Sequence, residues 1–263
     1  MVIFLPYLVG RAMRVELLGV KAHPLTMQEL NSKIEEIVFS ESQIVIGNHN
    51  LHSVYLYHTD AQMQKFFDEA EIAFIDGMFL VFWAKLKGYA LNRSHRVTYV
   101  DWIRPLMREA AIRGWRVFYL GGRPGVAQRA AEILRGEIPG LQLKIHHGYF
   151  EMEGNENERI VQEINDFRPH LLLVGMGMPR QEKWVLRNRA QLRVNVILTA
   201  GACFDYVAGA IPTPPRWMGQ VGLEWLYRLI SEPRRLWRRY LLEPLGLIPY
   251  FWRDLWDILR RKL

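Results

Sequence analysis

The chain has 263 residues, half of them hydrophobic, a net charge of +7 and one cysteine. That length and apolar share can bury one full core with an appendage. The lone Cys203 excludes an intrachain disulfide framework and a cysteine-rich zinc cluster, and fits a reducing compartment.

In chain order, the opening MVIFLPYLVG is apolar. It is short, lacks a basic lead-in and has no small-residue cleavage pattern, so it does not read as a secretory signal. No unbroken apolar run is long enough for a transmembrane helix. Strands are expected at RVELLGV, SQIVIG, EIAFI, WRVFYLGG, LQLKIHH, HLLLVGMG and VNVILTAG. Several are nearly continuous apolar runs, as in a parallel sheet covered on both faces. Helices are expected over 26–40, 99–113, 124–135, 155–165 and 179–189, with proline in the first turn of the third and fifth. This alternation predicts an α/β fold: a Rossmann-like, mostly parallel sheet with helices on both faces, plus a helical basic C-terminal appendage. Pro212, Pro214 and Pro215 mark the boundary, giving a body of 1–212 and an appendage of 213–263. From Thr213 onward ten Lys or Arg stand against five Asp or Glu, together with five of the nine tryptophans.

Ligands of such sheets bind beyond the carboxyl ends of the strands, and each strand here ends in glycine or polar residues. GNHN offers Asn48, His49 and Asn50, followed by His52 and His58. Without a carboxylate at metalloenzyme spacing, these histidines read as structural rather than metal-binding. IDGM puts Asp76 and Gly77 at a strand end, where the carboxylate can cap the next helix or act as a general base. Arg96, in HRVTYVD, is either a phosphate or sugar contact or a solvated cation. GGRPGVA places Gly121 and Gly122 before a helix start that can face a phosphate, although the dinucleotide and Walker spacings are absent. GMGMPRQEKW brings Gly175, Gly177, Gln181 and Glu182 into one turn, and AGACFD adds Asp205. In the tail, Arg228, Arg235 and Arg239 form a basic stripe interleaved with Trp225, Leu229, Leu236 and Tyr240. Arginine and tryptophan in amphipathic segments favour an anionic membrane surface over nucleic acid, for which no binding motif is present.

Taken in order, IDGM, VFYLGGRPGVA, HHGYF, LLLVGMGMPRQEKW, GACFDYVAG and GLEWLYRLISEPRRLWRRYL resemble the WecG/TagA/CpsF family of bacterial glycosyltransferases, from about residue 15 to residue 242. The resemblance implies an inverting transfer of a hexose-type sugar from a UDP-sugar to a polyprenyl-pyrophosphate-linked sugar, at the cytoplasmic face of the inner membrane. No metal or other cofactor is implied, and relatives assemble as oligomers. Asp76 matches the family's proposed base and Arg96 an arginine placed after the same helix in relatives, and these two make the expected catalytic set. Gln181 matches a proposed substrate contact, and Arg228, Arg235 and Arg238 are candidates to stabilise the departing UDP. Asn48, Asn50, Gly77, Gly121, Gly122, Gly175, Gly177 and Asp205 complete the expected substrate-binding set. Two positions depart from many relatives: Asn48 stands where they carry threonine, and Tyr99 where they carry glycine. Both resemble the xanthan-type GumM branch, which implies β-1,4-glucosyl transfer from UDP-glucose in exopolysaccharide synthesis. The alternative is transfer of N-acetylmannosamine or its uronate in teichoic acid or common-antigen synthesis. A non-catalytic nucleotide- or lipid-binding membrane module is the reading from another class.

Overall fold

The computed structural model describes residues 13–260, so the apolar opening segment lies outside the described residues. The main sheet contains β3 (Ile44–His49), β4 (Ile72–Ile75), β5 (Arg116–Gly121), β6 (Gln142–His146), β7 (Leu171–Gly175) and β8 (Val196–Thr199). All neighbours are parallel, in the order β4-β3-β8-β7-β5-β6. Every residue of β3, β4, β7 and β8 is buried, which explains their apolar runs.

The expected first strand, RVELLGV, is instead an antiparallel hairpin of β1 (Val15–Leu17) and β2 (Val20–Ala22) outside the main sheet. Leu18 and Gly19 both take positive φ, +49° and +82°, the backbone of a tight two-residue hairpin turn. Leucine is strained in that region, and its backbone is held on both sides. Leu18 N donates to Asp254 Oδ2 at 2.8 Å, and Leu18 O lies 2.8 Å from His58 Nε2.

One face of the sheet is covered by α1 (Met27–Phe39), with α5 (Tyr99–Ile112), α6 (Val126–Glu137) and α9 (Cys203–Val207). The other is covered by α3 (Ala61–Glu69), α7 (Gly154–Phe167) and α8 (Arg180–Asn188). Strand β5 shows why both are needed: Val117 and Tyr119 enter the first core, Phe118 and Leu120 the second. A third apolar cluster joins the hairpin to α2 (Leu51–Thr59) and α4 (Met78–Leu86).

The prolines at 124 and 179 do not occupy the first helical position expected for them. Gly125, at φ +82°, is the cap residue of α6, and Pro179 itself is the cap residue of α8. Each proline still stops the preceding loop from continuing as helix.

The appendage runs through α10 (Arg216–Val221), α11 (Glu224–Ser231), α12 (Pro233–Trp237), a π-helical turn (Arg238–Leu242), α13 (Glu243–Gly246) and α14 (Ile248–Arg260). It is fastened to the body by polar ties. Asp254, almost fully buried on α14, accepts from Leu18 N and from Trp83 Nε1 at 2.9 Å, and pairs with Lys87 at 2.8 Å. The ring of His58 stacks on Tyr250 with centroids 3.6 Å apart. His52 Nδ1 lies 2.5 Å from Glu243 Oε2. Thus His52 and His58 dock the appendage. His49 is packed against Phe67, and burial lowers its pKa to about 3, so it stays neutral. All three histidines have the structural roles expected of them. Among the described residues no group of three or more His, Cys, Asp or Glu is placed to hold a metal ion.

Candidate active site

Strand β4 ends at Ile75, and Asp76 N donates to His49 O at 2.8 Å, fixing the turn that leaves the sheet. Gly77, at φ +119°, occupies the cap position of α4, and no side chain caps that helix. Asp76 is therefore not spent on capping. Its Oδ2 accepts from Asn48 Nδ2 at 3.2 Å. Burial raises the Asp76 pKa, while Arg228, Arg96 and the Asn50 amide oppose the rise. A carboxylate with its affinity for protons raised, but with cations beside it, is poised to accept one at moderate pH.

Asp76 opens on a cavity of about 370 Å³ between body and appendage. The body contributes Asn50, His52, Gly77, Met78, Phe79 and Phe82, and the appendage Gly222, Glu224, Trp225, Arg228, Arg239 and Tyr240. Asn50 is also the cap of α2. Its side-chain oxygen accepts from Ser53 N while Ser53 Oγ accepts from Asn50 N, leaving its amide nitrogen for the cavity. Arg96 closes one edge by pairing with Glu224 of α11, and stands 3.9 Å from Asp101. It is near Asp76 but already committed to a carboxylate.

A second group of residues lies beyond the carboxyl ends of β5, β7 and β8. Strand order reverses between β5 and β7, because β5 leads outward to β6 and β7 leads back to β8. This is the switch point at which open α/β sheets bind ligands. Gly122 and Gly177 border it with φ of +68° and +78°. A Cβ on Gly177 would meet open space, so the positive φ, rather than crowding, selects glycine there. Asp205 sits close by on α9. Burial raises its pKa, and Arg123 and Arg235 counter the effect. Arg235 is held by two hydrogen bonds, each 2.7 Å, to Glu232.

The structure corrects several expected substrate contacts. A Cβ on Gly121 would lie 2.3 Å from Gly175 O, and one on Gly175 would lie 2.3 Å from the Tyr119 hydroxyl. These two glycines let neighbouring strands and a tyrosine pack, and leave no room for ligand. Gln181 is fully buried. Its Oε1 accepts from Gly177 N at 3.1 Å and Gly201 N at 3.0 Å, and its Nε2 donates to Glu182 Oε1 at 2.7 Å. It braces the loops after β7 and β8 instead of reaching a substrate. Glu182 is buried behind it, its pKa raised to about 7 by desolvation. Asn48 is buried beneath Asp76 and positions that carboxylate. Arg238 is exposed and stacks on Trp237, pointing away from the cavity.

Arg239 takes the place expected of Arg238. A signal for it is present in the sequence, since Arg239 belongs to the same basic stripe as Arg228 and Arg235. Glu224, Trp225 and Tyr240 also line the cavity and had no individual signal beyond belonging to the amphipathic tail.

A strand-end carboxylate facing a cavity with cationic and aromatic walls, on a doubly wound sheet, can accept a proton beside an anionic, partly apolar ligand. The chain belongs to the glycosyl transferase WecG/TagA/CpsF family, whose model matches residues 15–262 and so takes in the whole described appendage. It is similar to N-acetylglucosaminyldiphosphoundecaprenol N-acetyl-beta-D-mannosaminyltransferases of Staphylococcus aureus. Those of strains MW2, NCTC 8325 / PS 47 and COL are each 26% identical over 229 residues, covering 86% of this chain and 87% of the relative. The chain is thus a glycosyltransferase.

Proposed function

We propose that this enzyme transfers N-acetylmannosamine from its UDP derivative to N-acetylglucosamine carried on a polyprenyl diphosphate, with inversion. The observation that carries the chemistry is Asp76, uncapped, desolvated and turned into a cavity with cations on its far wall. Asp76 takes the proton of the acceptor hydroxyl as that oxygen forms its bond to the anomeric carbon. The bond from that carbon to the UDP diphosphate breaks, and UDP departs with the electron pair. Attack on the face opposite the leaving group gives the β-linked product. Arg228, which lines the cavity, and Arg235, held by Glu232 and acting on Asp205, would offset the developing diphosphate charge. The crevice over β5 and β7 would hold the nucleotide. No metal is assigned a role in this scheme.

The sugar assignment follows the named relatives and displaces the glucose preference drawn from the sequence. A glucosyl reading keeps one specific support. Tyr99, one of the two positions that carry the resemblance to the glucosyl branch, is buried with its hydroxyl lacking a hydrogen-bond partner among the described residues. We assign the body as residues 1–212 and the membrane-associating appendage as 213–263. Among the described residues no helix is long and apolar enough to cross a membrane. The appendage does expose Trp217, Trp237, Leu245, Trp252, Trp256 and Leu259, which suits peripheral binding to a bilayer whose lipids carry the acceptor.

The test is a donor screen in EDTA with UDP-N-acetylmannosamine, UDP-glucose and UDP-glucuronate. Each is offered with short-chain polyprenyl-diphosphate acceptors bearing N-acetylglucosamine or glucose. Release of UDP with the first donor and the N-acetylglucosamine acceptor supports the reading. Turnover confined to UDP-glucose on the glucose acceptor replaces it with the exopolysaccharide reaction, and loss of all turnover in EDTA overturns metal independence.

A further inference from the structure

The appendage arginines are not equivalent. Arg235 acts electrostatically on Asp205, does not line the Asp76 cavity, and is already held by Glu232. Arg228 lines the cavity, its guanidinium 5.4 Å from the Tyr206 ring centroid and its charge felt by Asp76. Arg239 lies in the part of the cavity walled by His52, Tyr240 and Pro244.

Arg239 is a half-buried cation without an ion pair. Among the described residues no carboxylate lies within ion-pair distance of it, and its Nε is buried with no hydrogen-bond partner. The carboxylate four residues on, Glu243, is a natural helical partner for it but faces His52 instead. Glu224, in the same wall, is taken by Arg96. Arg228 likewise has a buried Nε without a partner and no ion pair among the described residues. Two guanidiniums thus share one cavity, with Asp76 the one uncommitted carboxylate lining it. Two unpaired guanidiniums on one cavity, each with a buried Nε that makes no hydrogen bond, repel each other and favour an anion between them. The apolar remainder of the wall constrains what that anion is attached to. Phe79, Phe82 and Trp225 line the cavity and are also partly exposed, so they continue onto the outer surface.

We propose that Arg239 binds the diphosphate of the lipid-linked acceptor, leaving Arg228 and Arg235 to the diphosphate of the donor. The inference rests on the proposed transfer to a polyprenyl-diphosphate sugar and assigns its two diphosphates to different arginines. An acceptor entering with its prenyl chain along Phe79, Phe82 and Trp225 places its diphosphate against Arg239 and its sugar over Asp76. The donor then approaches from the crevice side.

Steady-state kinetics and direct binding test this together. For Arg239→Ala, KM for the diphosphate-linked acceptor should rise roughly 10- to 100-fold, the loss expected for a hydrogen-bonded charge contact. KM for the UDP-sugar and the Kd for UDP should stay within about twofold of the parent protein in the same scheme. The wild-type preference for the diphosphate-linked acceptor over an uncharged alkyl glycoside of the same sugar should collapse in the variant. Arg239→Lys should recover part of it. Arg239→Met should melt no lower than the parent protein, since it removes an unpaired, half-buried charge, which keeps a folding defect from imitating the effect. Farnesyl diphosphate serves as a sugar-free probe, with UDP as the competing anion. If no donor supports turnover, the proposed reaction fails, yet binding of farnesyl diphosphate that Arg239→Ala abolishes and Arg239→Lys keeps still supports the site. Equal binding of farnesyl diphosphate by wild type and Arg239→Ala, no binding to either, or a selective loss of UDP binding in the variant would overturn it.

Discussion

The two halves of the site are built from different materials. The crevice over β5, β7 and β8 is walled by backbone, glycines and a buried amide of the α/β body, with Arg235 the appendage's contribution beside Asp205. The Asp76 cavity takes its far wall, and its unpaired cations, from helices α11 to α13 of the appendage. A nucleotide diphosphate is the same in every sugar donor, so rigid backbone geometry can serve it. The proposed lipid-linked acceptor would meet a wall that belongs to the segment carrying the exposed tryptophans. The contrast implies that loss of the appendage removes the acceptor wall whole but only the arginines from the donor side, so donor binding should weaken while transfer is lost.

Truncation after Pro212 tests this most severely. The shortened protein should show no measurable transfer and should no longer float with anionic liposomes. Retained flotation together with normal turnover would remove the appendage from both roles. Asp76→Asn comes next. It keeps the shape of the side chain and should lower kcat by about two to four orders of magnitude, the usual range for a lost general base. Its Kd for UDP should not change, as measured by calorimetry. In the parent protein the acidic limb of the pH–rate profile should lie above the ordinary carboxylate range, because burial raises the Asp76 pKa. A limb near pH 4 would place the essential ionisation elsewhere.

The smallest effect belongs to the crevice. Glu182 has a folded-state pKa of about 7 against an ordinary 4.5. The folded protein therefore holds this proton more tightly than the unfolded chain does. Its contribution is full below about pH 4.5 and is lost as pH rises through about 7, up to about 3 kcal/mol in all. Glu182→Gln should remove that slope, so denaturant midpoints of variant and parent should diverge in the variant's favour between pH 5 and about 8. Because the glutamine carbonyl can still accept from Gln181, donor KM should be nearly unchanged. A large rise in donor KM would give Glu182 a contact with substrate that the geometry does not provide.

Much of this arrangement was legible in the residues. Parallel strands declared themselves by continuous apolar runs, and Asp76 by its position at the end of one. What escaped depended on direction. The chain shows that Gln181 follows a glycine turn, but not that its side chain folds inward between Gly177 and Gly201. Gly121 and Gly175 signal close approach without saying whether ligand or neighbouring strand approaches. The helix LHSVYLYHT gave no clear helical period, since it is packed between α3 and α13 and has little purely solvent-facing surface. Arg238 and Arg239 are adjacent, and only the helical rotation, which includes a π-helical turn, decides which of them enters the cavity.

The hydrogen bond from Leu18 to Asp254 joins residues 236 positions apart. A ribosome works from the first residue to the last, and early segments fold while later ones are still being made. The strained Leu18 turn, Trp83 and Lys87 therefore wait for a partner made well after them. The crevice over β5 and β7 is walled by segments made before the appendage, whereas the cavity beside Asp76 closes only once α11 to α13 have followed.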